Sequence, residues 1–361
     1  MLVGGGHAHV AVLADWIRHG KPCKRATLLT PSKTLRYSGT VPGWIAGQYE
    51  RDEGTVDVGG LARRAGVQLV LGTCTGVDPE ARRVKMAGGQ PLEFDIASFD
   101  TGGVGRAEKL LGEHKRLVDI RPIDRFVERM EALGPASRIA VLGGGAGGTE
   151  LAFALRNRAQ EARAQVTFVT GAEGLLPEMS DAVRRAALKN LDDQDIAVIR
   201  EDARLEGGVL YAGEHSLEPV DLIVAALGSG APGWPRAGGL AIDDAGFIAV
   251  DEYQRSISHP HIYAVGDVAA RQDRKVPHSG VHAVFAGPIL AANLRAVMTG
   301  HEPWRSYRPR WNNLYLMSTG DGGAIASYGP FAASGRWVSR LKHFIDMRWL
   351  KGYSALVNSD Q

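Results

Sequence analysis

The chain has 361 residues, 44% hydrophobic and 23% charged, which is typical of a soluble globular protein with two or three domains. Its 42 basic and 40 acidic residues leave a net charge of +2, which argues against a nucleic-acid-binding protein that works by neutralising phosphates. Cys23 and Cys74 are the only cysteines, and their wide separation excludes a CxxC redox or metal motif.

The N-terminal residues do not have the pattern of a signal peptide, and no stretch approaches the ~18 continuous apolar residues of a membrane-spanning helix. We therefore expect a cytoplasmic protein. The first predicted strand has only Met1 to Val3 before a glycine turn, whereas a typical strand has about five or six residues. Either this strand is short or the true N-terminus lies upstream of Met1.

The first motif is Leu2-Val3-Gly4-Gly5-Gly6-His7-Ala8-His9-Val10, which predicts the end of a buried strand, a glycine turn and the start of a helix. Gly4 and Gly6 match the first two glycines of GxGxxG. The missing Cβ atoms permit a tight turn and let pyrophosphate oxygens approach N–H groups at a helix N-terminus. His9 replaces the third glycine. One such motif is weak, and a plain glycine-rich loop is the alternative.

The next predicted strand, Arg25 to Thr30, is followed by Thr30-Pro31-Ser32 where a nucleotide fold normally has an acid for the ribose. Hydroxyl or backbone groups would then hold the ribose, or the site departs from ordinary nucleotide binding. Residues 67–77 and 82–86 predict short strands of an antiparallel excursion. The strand Phe94 to Phe99 ends in Asp100-Thr101-Gly102-Gly103, which suits the closing strand of a nucleotide domain.

A second copy of the glycine motif lies far downstream, at Ile139 to Glu150. It has all three glycines, Gly143, Gly145 and Gly148, between a hydrophobic strand pattern and a helical run. Two nucleotide folds in one chain imply two nucleotides. The second strand of this fold, residues 165–171, again lacks a terminal acid, so the choice between NADH and NADPH stays open.

The strand-then-glycine pattern of residues 95–102 recurs at Asp221 to Gly228, so the domain plan repeats within the chain. Two further strands are predicted at 246–251 and 261–268. The second ends in Val265-Gly266-Asp267, where a carboxylate can accept hydrogen bonds from a ligand hydroxyl group. A helix N-cap is a compatible interpretation of Asp267.

In this order, the segments GGGHAHV, FDIASFDTGG, VLGGGAGGTELA, DLIVAALG and HIYAVGDVAA resemble the pyridine nucleotide-disulfide oxidoreductase superfamily of two-nucleotide flavoproteins. The resemblance covers nearly the whole chain. The segments HAHV, YSGTVPGWIAG and SGVHAVFAGPILAANL are most similar to a branch that is also found fused to selenide water dikinases and is related to type II NADH dehydrogenases.

The resemblance implies an α/β fold with two Rossmann-like dinucleotide-binding domains. The FAD domain comprises residues 1–110 and 237–310, the NAD(P) domain is inserted at 111–236, and residues 311–361 form a C-terminal region. The implied cofactors are FAD and NAD(P)H, with the flavin supplying the chemistry. The segment 35–44 is either a surface loop or a lining of the isoalloxazine ring.

The resemblance also implies roles for particular residues. Gly4 and Gly6 would hold the FAD pyrophosphate, Asp267 the ribityl chain, and Ser279 to Ala283 would face the flavin pyrimidine edge. Gly143, Gly145, Gly148 and Glu150 would bind and orient the nicotinamide nucleotide. The remaining expected cofactor-binding residues are His7, Ala8, His9, Thr30, Pro31, Tyr37, Pro42, Thr101, Gly102, Gly228, Gly266, Gly280, His282 and Ala283.

The implied activity is that of an FAD-dependent NAD(P)H oxidoreductase that reduces a small-molecule, non-thiol acceptor, with quinone as a candidate. Residues 36–44 lack the cysteine pair of disulfide reductases. Val281, Phe285 and Ala286 stand where type II NADH dehydrogenases have glutamines near quinone, which leaves the acceptor open. The alternative is a redox-sensing or partner-binding flavoprotein, with a link to selenium metabolism by fusion analogy alone.

His278 and His282 have the i, i+4 spacing of a metal pair, but no third ligand lies nearby in the sequence, and flavin-side residues are the preferred interpretation. No metal is predicted. From Trp337 onward a basic amphipathic helix is predicted. It either touches a membrane surface peripherally or packs on the protein or on a partner subunit. Its apolar stripe is Val338, Leu341, Phe344, Ile345 and Trp349, flanked by Arg336, Arg340, Lys342, Arg348 and Lys351.

Overall fold

The structure is a computed structural model that describes residues 1–132, 134, 136–158, 164–310 and 312–358. Two parallel sheets dominate it, each built around a strand that leads into a glycine loop. The first third of the chain forms β1 (Leu2–Val3), α1 (His7–His19), β2 (Thr27–Thr30), β3 (Thr34–Arg36), α2 (Val41–Ile45), β4 (Thr55–Asp57), α3 (Val58–Arg64), β5 (Gln68–Leu71), β6 (Cys74–Asp78), β7 (Arg83–Met86), β8 (Leu92–Glu93), β9 (Ala97–Phe99) and α4 (Ala107–Leu111).

The middle of the chain contains the second glycine motif between its strand and its helix. Its elements are β10 (Leu117–Asp119), α5 (Ile123–Ala132), β11 (Arg138–Leu142), α6 (Ala146–Arg156), β12 (Gln165–Val169), α7 (Asp181–Asp193), β13 (Ala197–Ile199), β14 (Ala203–Glu206), β15 (Val209–Ala212), β16 (His215–Ser216), β17 (Leu222–Ala225) and α8 (Trp234–Ala237).

The last third of the chain returns to the first sheet and then adds a small sheet and a long helix. Its elements are β18 (Ile248–Val250), β19 (Ile262–Ala264), β20 (Ala269–Arg271), α9 (Gly280–Met298), β21 (Leu314–Ser318), β22 (Ala324–Tyr328), β23 (Phe331–Gly335) and α10 (Arg336–Asn358). Single 3₁₀ turns lie at Ser38–Thr40 and Gly266–Val268.

The two main sheets have the same plan. The first has the order β19-β9-β1-β2-β5 and the second the order β10-β17-β11-β12-β13, with all pairings parallel. In both, the strand before the glycine loop is central, and the loop opens at the carboxyl edge, where α/β folds bind ligands. The predicted α/β class with Rossmann-like domains is confirmed, and the exact domain bounds stay a prediction.

One local prediction was wrong, and one of the two alternatives for a second segment does not hold. The first part of the predicted antiparallel excursion is β5, an edge strand of the first parallel sheet, because Leu69 pairs with Leu28 of β2. Only β6, β7 and β8 pair in antiparallel fashion there. The segment 35–44 is not an open loop, since it contains the end of β3, a 3₁₀ turn and α2, whose Val41 and Ile45 are buried in the core around the second sheet.

The apolar helix α9 packs along α1 in the core of the first sheet. A Cβ added at Gly287 would lie 2.7 Å from the Cβ of Ala11, so the glycine permits this close approach. Among the described residues, α9 is the one helix whose length and hydropathy would suffice to cross a bilayer, and half of that stretch is buried inside the protein. A buried core helix has the same composition.

The predicted apolar stripe of α10 is divided between two faces of the helix. Val338 is fully buried, and the half-buried Trp349 packs on Tyr37, whereas Leu341 and Ile345 are exposed. Lys342, which was predicted in the basic flank of this stripe, is buried with Asp346 on the inner face. The prediction of an apolar stripe with a basic flank was therefore wrong in detail, because the buried face of α10 contains both apolar residues and an ion pair.

Candidate functional site

The first glycine loop connects β1 to α1 through a conformation that requires glycine. Gly4 has a φ of +92°, and a Cβ there would lie 2.2 Å from the carbonyl oxygen of Asp100. Gly6 is the N-cap of α1, and of the N–H groups that follow it in the first helical turn, those of Ala8 and His9 donate to the Asp100 carboxylate at 2.9 and 3.0 Å. Such a turn is suited to an anionic group.

His9, which replaces the third glycine, is enclosed by the protein. Its ring nitrogens lie 2.6 Å from the carbonyl oxygen of Gly4 and 2.8 Å from the hydroxyl oxygen of Ser98. Burial lowers the pKa of His9 to about 4, so the imidazole is neutral near pH 7. Its ring connects the loop to β9, and its backbone N–H donates to the carboxylate of Asp100 at 3.0 Å.

His7 brings the first glycine loop together with the 35–44 segment and the C-terminal helix. Its ring centroid is 5.7 Å from that of Tyr37 and 5.5 Å from that of Trp349. Tyr37 and Trp349 stack at 4.8 Å with an angle of 26° between their planes. Tyr37 was predicted as a site residue, while the role of Trp349 could not be read from its position in a helical stripe.

Two of the predicted residues beyond the loop, Thr30 and Thr101, lie at strand ends of the same sheet edge. Thr30 ends β2, and its Oγ1 would be 2.9 Å from a Cβ at Gly5. Pro31 is exposed beyond it, and Pro42 is buried in α2. Thr101 follows β9, and its Oγ1 is buried without a hydrogen-bond partner among the described residues, which marks a polar atom available to a ligand.

Gly266 and Asp267 form a 3₁₀ turn at the end of β19 that faces the start of α9. A Cβ at Gly266 would be 3.5 Å from Ala283, so this predicted residue lies beside the turn, whereas a Cβ at Gly280 would be 3.6 Å from the hydroxyl oxygen of Ser38. Asp267 is buried and paired with Arg121 at 2.8 Å. Sequence analysis missed Arg121, whose guanidinium reaches Asp267 only after the two sheets pack together.

Two histidines predicted on the flavin side have internal partners. Nδ1 of His282 lies 2.8 Å from the hydroxyl group of Tyr307, and Nε2 of His278 lies 3.0 Å from the carbonyl oxygen of Ala269. The rings of His278 and His282 therefore point to different partners inside the protein. No group of three metal-ligating side chains is present in the described ranges. His282 and Tyr307 line a small cleft with Asp267.

The second glycine loop resembles the first in its backbone but is more open. Gly143 has a φ of +112°, and a Cβ at Gly148 would lie 1.9 Å from the carbonyl oxygen of Gly143, so both positions require glycine. Gly145 is the N-cap of α6. A Cβ added at Gly145 or at Gly228 would meet nothing within 4 Å in the part of the chain that is described. The helix start is therefore accessible.

Glu150 points from α6 toward the C-terminal region. Its carboxylate accepts a hydrogen bond of 2.8 Å from the backbone N–H of Ser318, and burial raises the pKa of Glu150, while Lys342 opposes that shift. Lys342 is 7% exposed and donates to Gly39 and to Asp346, each at 2.8 Å. We call the group Tyr37, Glu150, Lys342 and Asp346 the buried polar cluster.

The buried polar cluster was not predicted as a unit. Tyr37 and Glu150 were expected site residues, but Lys342 and Asp346 come from α10, where Lys342 was expected as part of the basic flank and Asp346 was not singled out. Charged side chains that are removed from water at such a cost are concentrated at functional sites. The cysteines lie elsewhere: Cys23 and Cys74 are half-buried and unpaired, and burial raises the pKa of Cys74 to about 11.

The chain is similar to known proteins over most of its length. A family model described as pyridine nucleotide-disulphide oxidoreductase matches residues 1–287. Ferroptosis suppressor protein 1 of Taeniopygia guttata is 23% identical over 75% of this chain and 72% of that protein. The probable ferredoxin reductase CtmF of Castellaniella defragrans is 27% identical over 75% of this chain and 68% of that protein.

Two solved structures share the fold. The sulfide:quinone oxidoreductase of Aquifex aeolicus superposes with a TM-score of 0.76 at 17% identity, covering 98% of this chain and 92% of that one. The water-forming NADH oxidase of Lactobacillus brevis superposes with a TM-score of 0.73 at 21% identity, covering 91% and 74%. None of these four relatives is named for selenium chemistry.

Proposed function

Because the chain belongs to the pyridine nucleotide-disulphide oxidoreductase family, we propose that it oxidises NAD(P)H through FAD and passes the electrons to a non-thiol acceptor, with a quinone as the favoured one. The family consists of FAD-dependent NAD(P)H oxidoreductases, so FAD and a nicotinamide dinucleotide are its cofactors. The observation that supports this function is the repeated strand, glycine turn and helix start at Gly4–His7 and Gly143–Ala146.

The second loop has the shape that a dinucleotide needs. Gly143 and Gly148 close the turn, and the space in front of Gly145 and Gly228 is open to a pyrophosphate at the start of α6. We assign NAD(P)H to this loop. No acid follows β12, because the chain continues as Thr170-Gly171. The choice between NADH and NADPH is therefore left to measurement.

The first loop would hold FAD. The close packing of Gly4 and Gly6 against Asp100 would shape the pyrophosphate site, the unpartnered hydroxyl of Thr101 would face it, and Asp267 would hold the ribityl hydroxyls beside Arg121. The start of α9, at Gly280 to Ala283, would face the pyrimidine edge. When bound, the flavin supplies the redox chemistry between nicotinamide and acceptor.

The chemistry around Tyr37 favours an acceptor that is not a disulfide. Residues 36–44 contain no cysteine. In their place, the buried ammonium of Lys342 donates to Gly39 and Asp346 and has a third N–H to offer next to this segment, whereas the Tyr37 hydroxyl already donates to Asp346. A quinone takes up two electrons and two protons, and its carbonyl oxygens accept hydrogen bonds. Donors of this kind therefore suit a quinone better than a thiol.

The exposed face of α10 suits peripheral contact with a membrane, where quinones dissolve. Trp337 and Phe344 are 58% and 59% exposed, and the exposed Leu341 and Ile345 lie on the same face of the helix. We call these four residues the exposed stripe. Arg340 and Arg348 flank it and are exposed to solvent. Such a face would lie in the head-group region rather than span the bilayer.

The test starts with the purified full chain, which should carry FAD that is released on denaturation. Anaerobic NADH or NADPH should bleach the flavin, and each acceptor is then added separately: a short-chain quinone, oxygen, a ferredoxin and lipoamide. We expect rapid recovery of flavin absorbance with the quinone and none with the disulfide. Recovery with lipoamide as fast as with quinone would contradict the non-thiol acceptor. Slow recovery with every acceptor would favour the redox-sensing alternative.

A further inference from the structure

Asp100 lies where the first glycine loop meets α1. Its Oδ2 accepts hydrogen bonds from the backbone N–H groups of Ala8, at 2.9 Å, and of His9, at 3.0 Å. The residue is only 4% exposed. These two N–H groups belong to the first turn of the helix, the part that a Rossmann fold uses to bind a pyrophosphate. A carboxyl group therefore occupies the position at which a dianionic ligand is expected.

The same carboxyl group is held between both halves of the expected FAD site. A Cβ at Gly6 would lie 2.4 Å from its Cγ, and a Cβ at Gly266 would lie 2.9 Å from its Oδ1. Gly266 immediately precedes Asp267. Oδ2 is thus engaged by the backbone, while Oδ1 faces the turn that leads to Asp267.

An ionised Asp100 and a pyrophosphate would repel each other in this buried place. Burial raises the pKa of Asp100 to about 7, the charge of Asp267 adds to that effect, and the hydrogen bonds from His9 and Ala8 oppose it. A phosphate nearby would raise it further, because like charges disfavour ionisation. Among the described residues, the titratable groups on the elements packed around Asp100 include the amino group of Met1, His7, His9, Arg121 and Asp267.

None of these neighbouring groups supplies a free positive charge that could neutralise the Asp100 carboxylate in place of a proton. Burial lowers the pKa values of His7 and His9 to about 4, so both are neutral near pH 7. Arg121 is paired with Asp267. Burial lowers the pKa of the Met1 amino group to about 6, so it is largely uncharged above neutral pH, and it donates to the carbonyl oxygen of Ile96 at 2.6 Å.

We propose that Asp100 is a cofactor-binding residue that meets the FAD pyrophosphate as a neutral carboxylic acid. Oδ2 keeps its two backbone hydrogen bonds, and the proton on Oδ1 is donated to a phosphate oxygen. In the free protein above neutral pH, Asp100 is ionised, so FAD binding takes up one proton from the solvent. This inference rests on the proposed FAD site.

The proposal predicts how affinity depends on pH. Above about pH 7 the dissociation constant of FAD should rise by up to about tenfold per pH unit, because one proton must be bound with each FAD. Below about pH 6 the affinity should be flat, since Asp100 is already protonated. An asparagine at this position accepts through its oxygen and donates through its amide at every pH, so Asp100→Asn should remove the slope.

The experiment titrates flavin-depleted full-length protein with FAD by calorimetry between about pH 6 and pH 8.5, in buffers with different ionisation enthalpies, which yields the number of protons taken up. Wild type should take up close to one proton at about pH 8, and Asp100→Asn should take up none. Asp95→Asn removes an exposed carboxylate near the same strand and should behave as wild type. Circular dichroism verifies that each variant is folded.

The outcomes separate the two proposals. Wild-type protein that binds FAD without proton uptake would overturn the role of Asp100, whatever the variant does. An equal pH slope in wild type and Asp100→Asn would overturn it as well. If the full chain binds no FAD at any pH, the proposed function itself fails.

Discussion

The hydroxyl group of Tyr37 donates a hydrogen bond of 3.2 Å to Asp346, a residue 309 positions further along the chain. Asp346 in turn accepts from Lys342, which also donates to the backbone of Gly39. This connection holds the segment after β3 against the C-terminal helix. Burial and the neighbouring Asp346 raise the pKa of Tyr37, so its hydroxyl stays a donor near neutral pH.

Removal of the lysine from this connection should destabilise the protein strongly. Lys342→Met leaves Asp346 and Glu150 as buried carboxylates without their cation, which costs on the order of 3 kcal/mol of unfolding free energy. Chemical denaturation at neutral pH measures this loss. Lys351→Met removes an exposed lysine of the same helix and should change stability by less than about 0.5 kcal/mol.

A second substitution tests the cause of that loss. Lys342→Met combined with Asp346→Leu removes both charges and should lose less stability than the single lysine variant, because no uncompensated partner remains on α10. If the double variant is instead less stable by the sum of the two single losses, the residues do not act as a pair.

The neutral state of His9 makes stability depend on pH. In the unfolded chain His9 has its ordinary pKa of 6.5, and in the folded protein the value is lowered to about 4. The unfolded state therefore binds the proton more tightly, so stability is lost as the pH falls from 6.5 toward 4. At about pH 5 the contribution of this residue amounts to about 2 kcal/mol.

This loss is measured by denaturant unfolding at two pH values. His9→Asn should show a smaller difference in unfolding free energy between about pH 7 and pH 5 than wild type does. His19→Asn, at an exposed position of the same helix, should keep the wild-type difference. If both variants lose as much unfolding free energy between these two pH values as wild type does, His9 is not the group that titrates.

The sequence was sufficient for the central plan of the fold. Strand, glycine turn and helix are local patterns, so both loops and both main sheets could be predicted from them. The partners of Asp346 could not be predicted, because a helical period shows which residues share a face but not that a lysine and an aspartate on this face are buried. In the same way, the sequence shows Asp100 directly before Thr101, but it does not show where the carboxyl group points. That depends on how β9 packs against the first loop.

Glu150 should affect the transfer from nicotinamide to flavin. It lies two residues after Gly148, and its carboxylate is fixed by Ser318 on one side and attracted by Lys342 on the other. Glu150→Ala should slow flavin reduction by NAD(P)H about tenfold, equivalent to about 1.4 kcal/mol, and leave FAD content intact. Stopped-flow absorbance follows the reduction, and the exposed Glu128→Ala serves as control. Equal rates in all three proteins would make Glu150 a purely structural residue.

Membrane association, if the proposed function is correct, should depend on the exposed stripe of α10. Deletion of the whole helix would be a poor test, because Val338 and Leu350 are buried and the truncated protein should unfold. Trp337→Ser combined with Phe344→Ser alters only side chains that are more than half exposed and should leave the fold intact. We expect the wild-type chain to co-sediment with anionic liposomes at low salt and the double variant to remain in solution.

The salt dependence separates this contact from simple hydrophobic adsorption. Each basic side chain near the head groups contributes about 1 kcal/mol that salt screens, so Arg340→Gln with Arg348→Gln should weaken binding at low salt and flatten its salt dependence. Lys24→Gln with Arg25→Gln, at exposed positions far from α10 in the sequence, is the matched control for net charge. If the wild-type protein does not bind anionic liposomes at low salt, membrane contact is not part of its function. Soluble acceptors would then be favoured over membrane quinones.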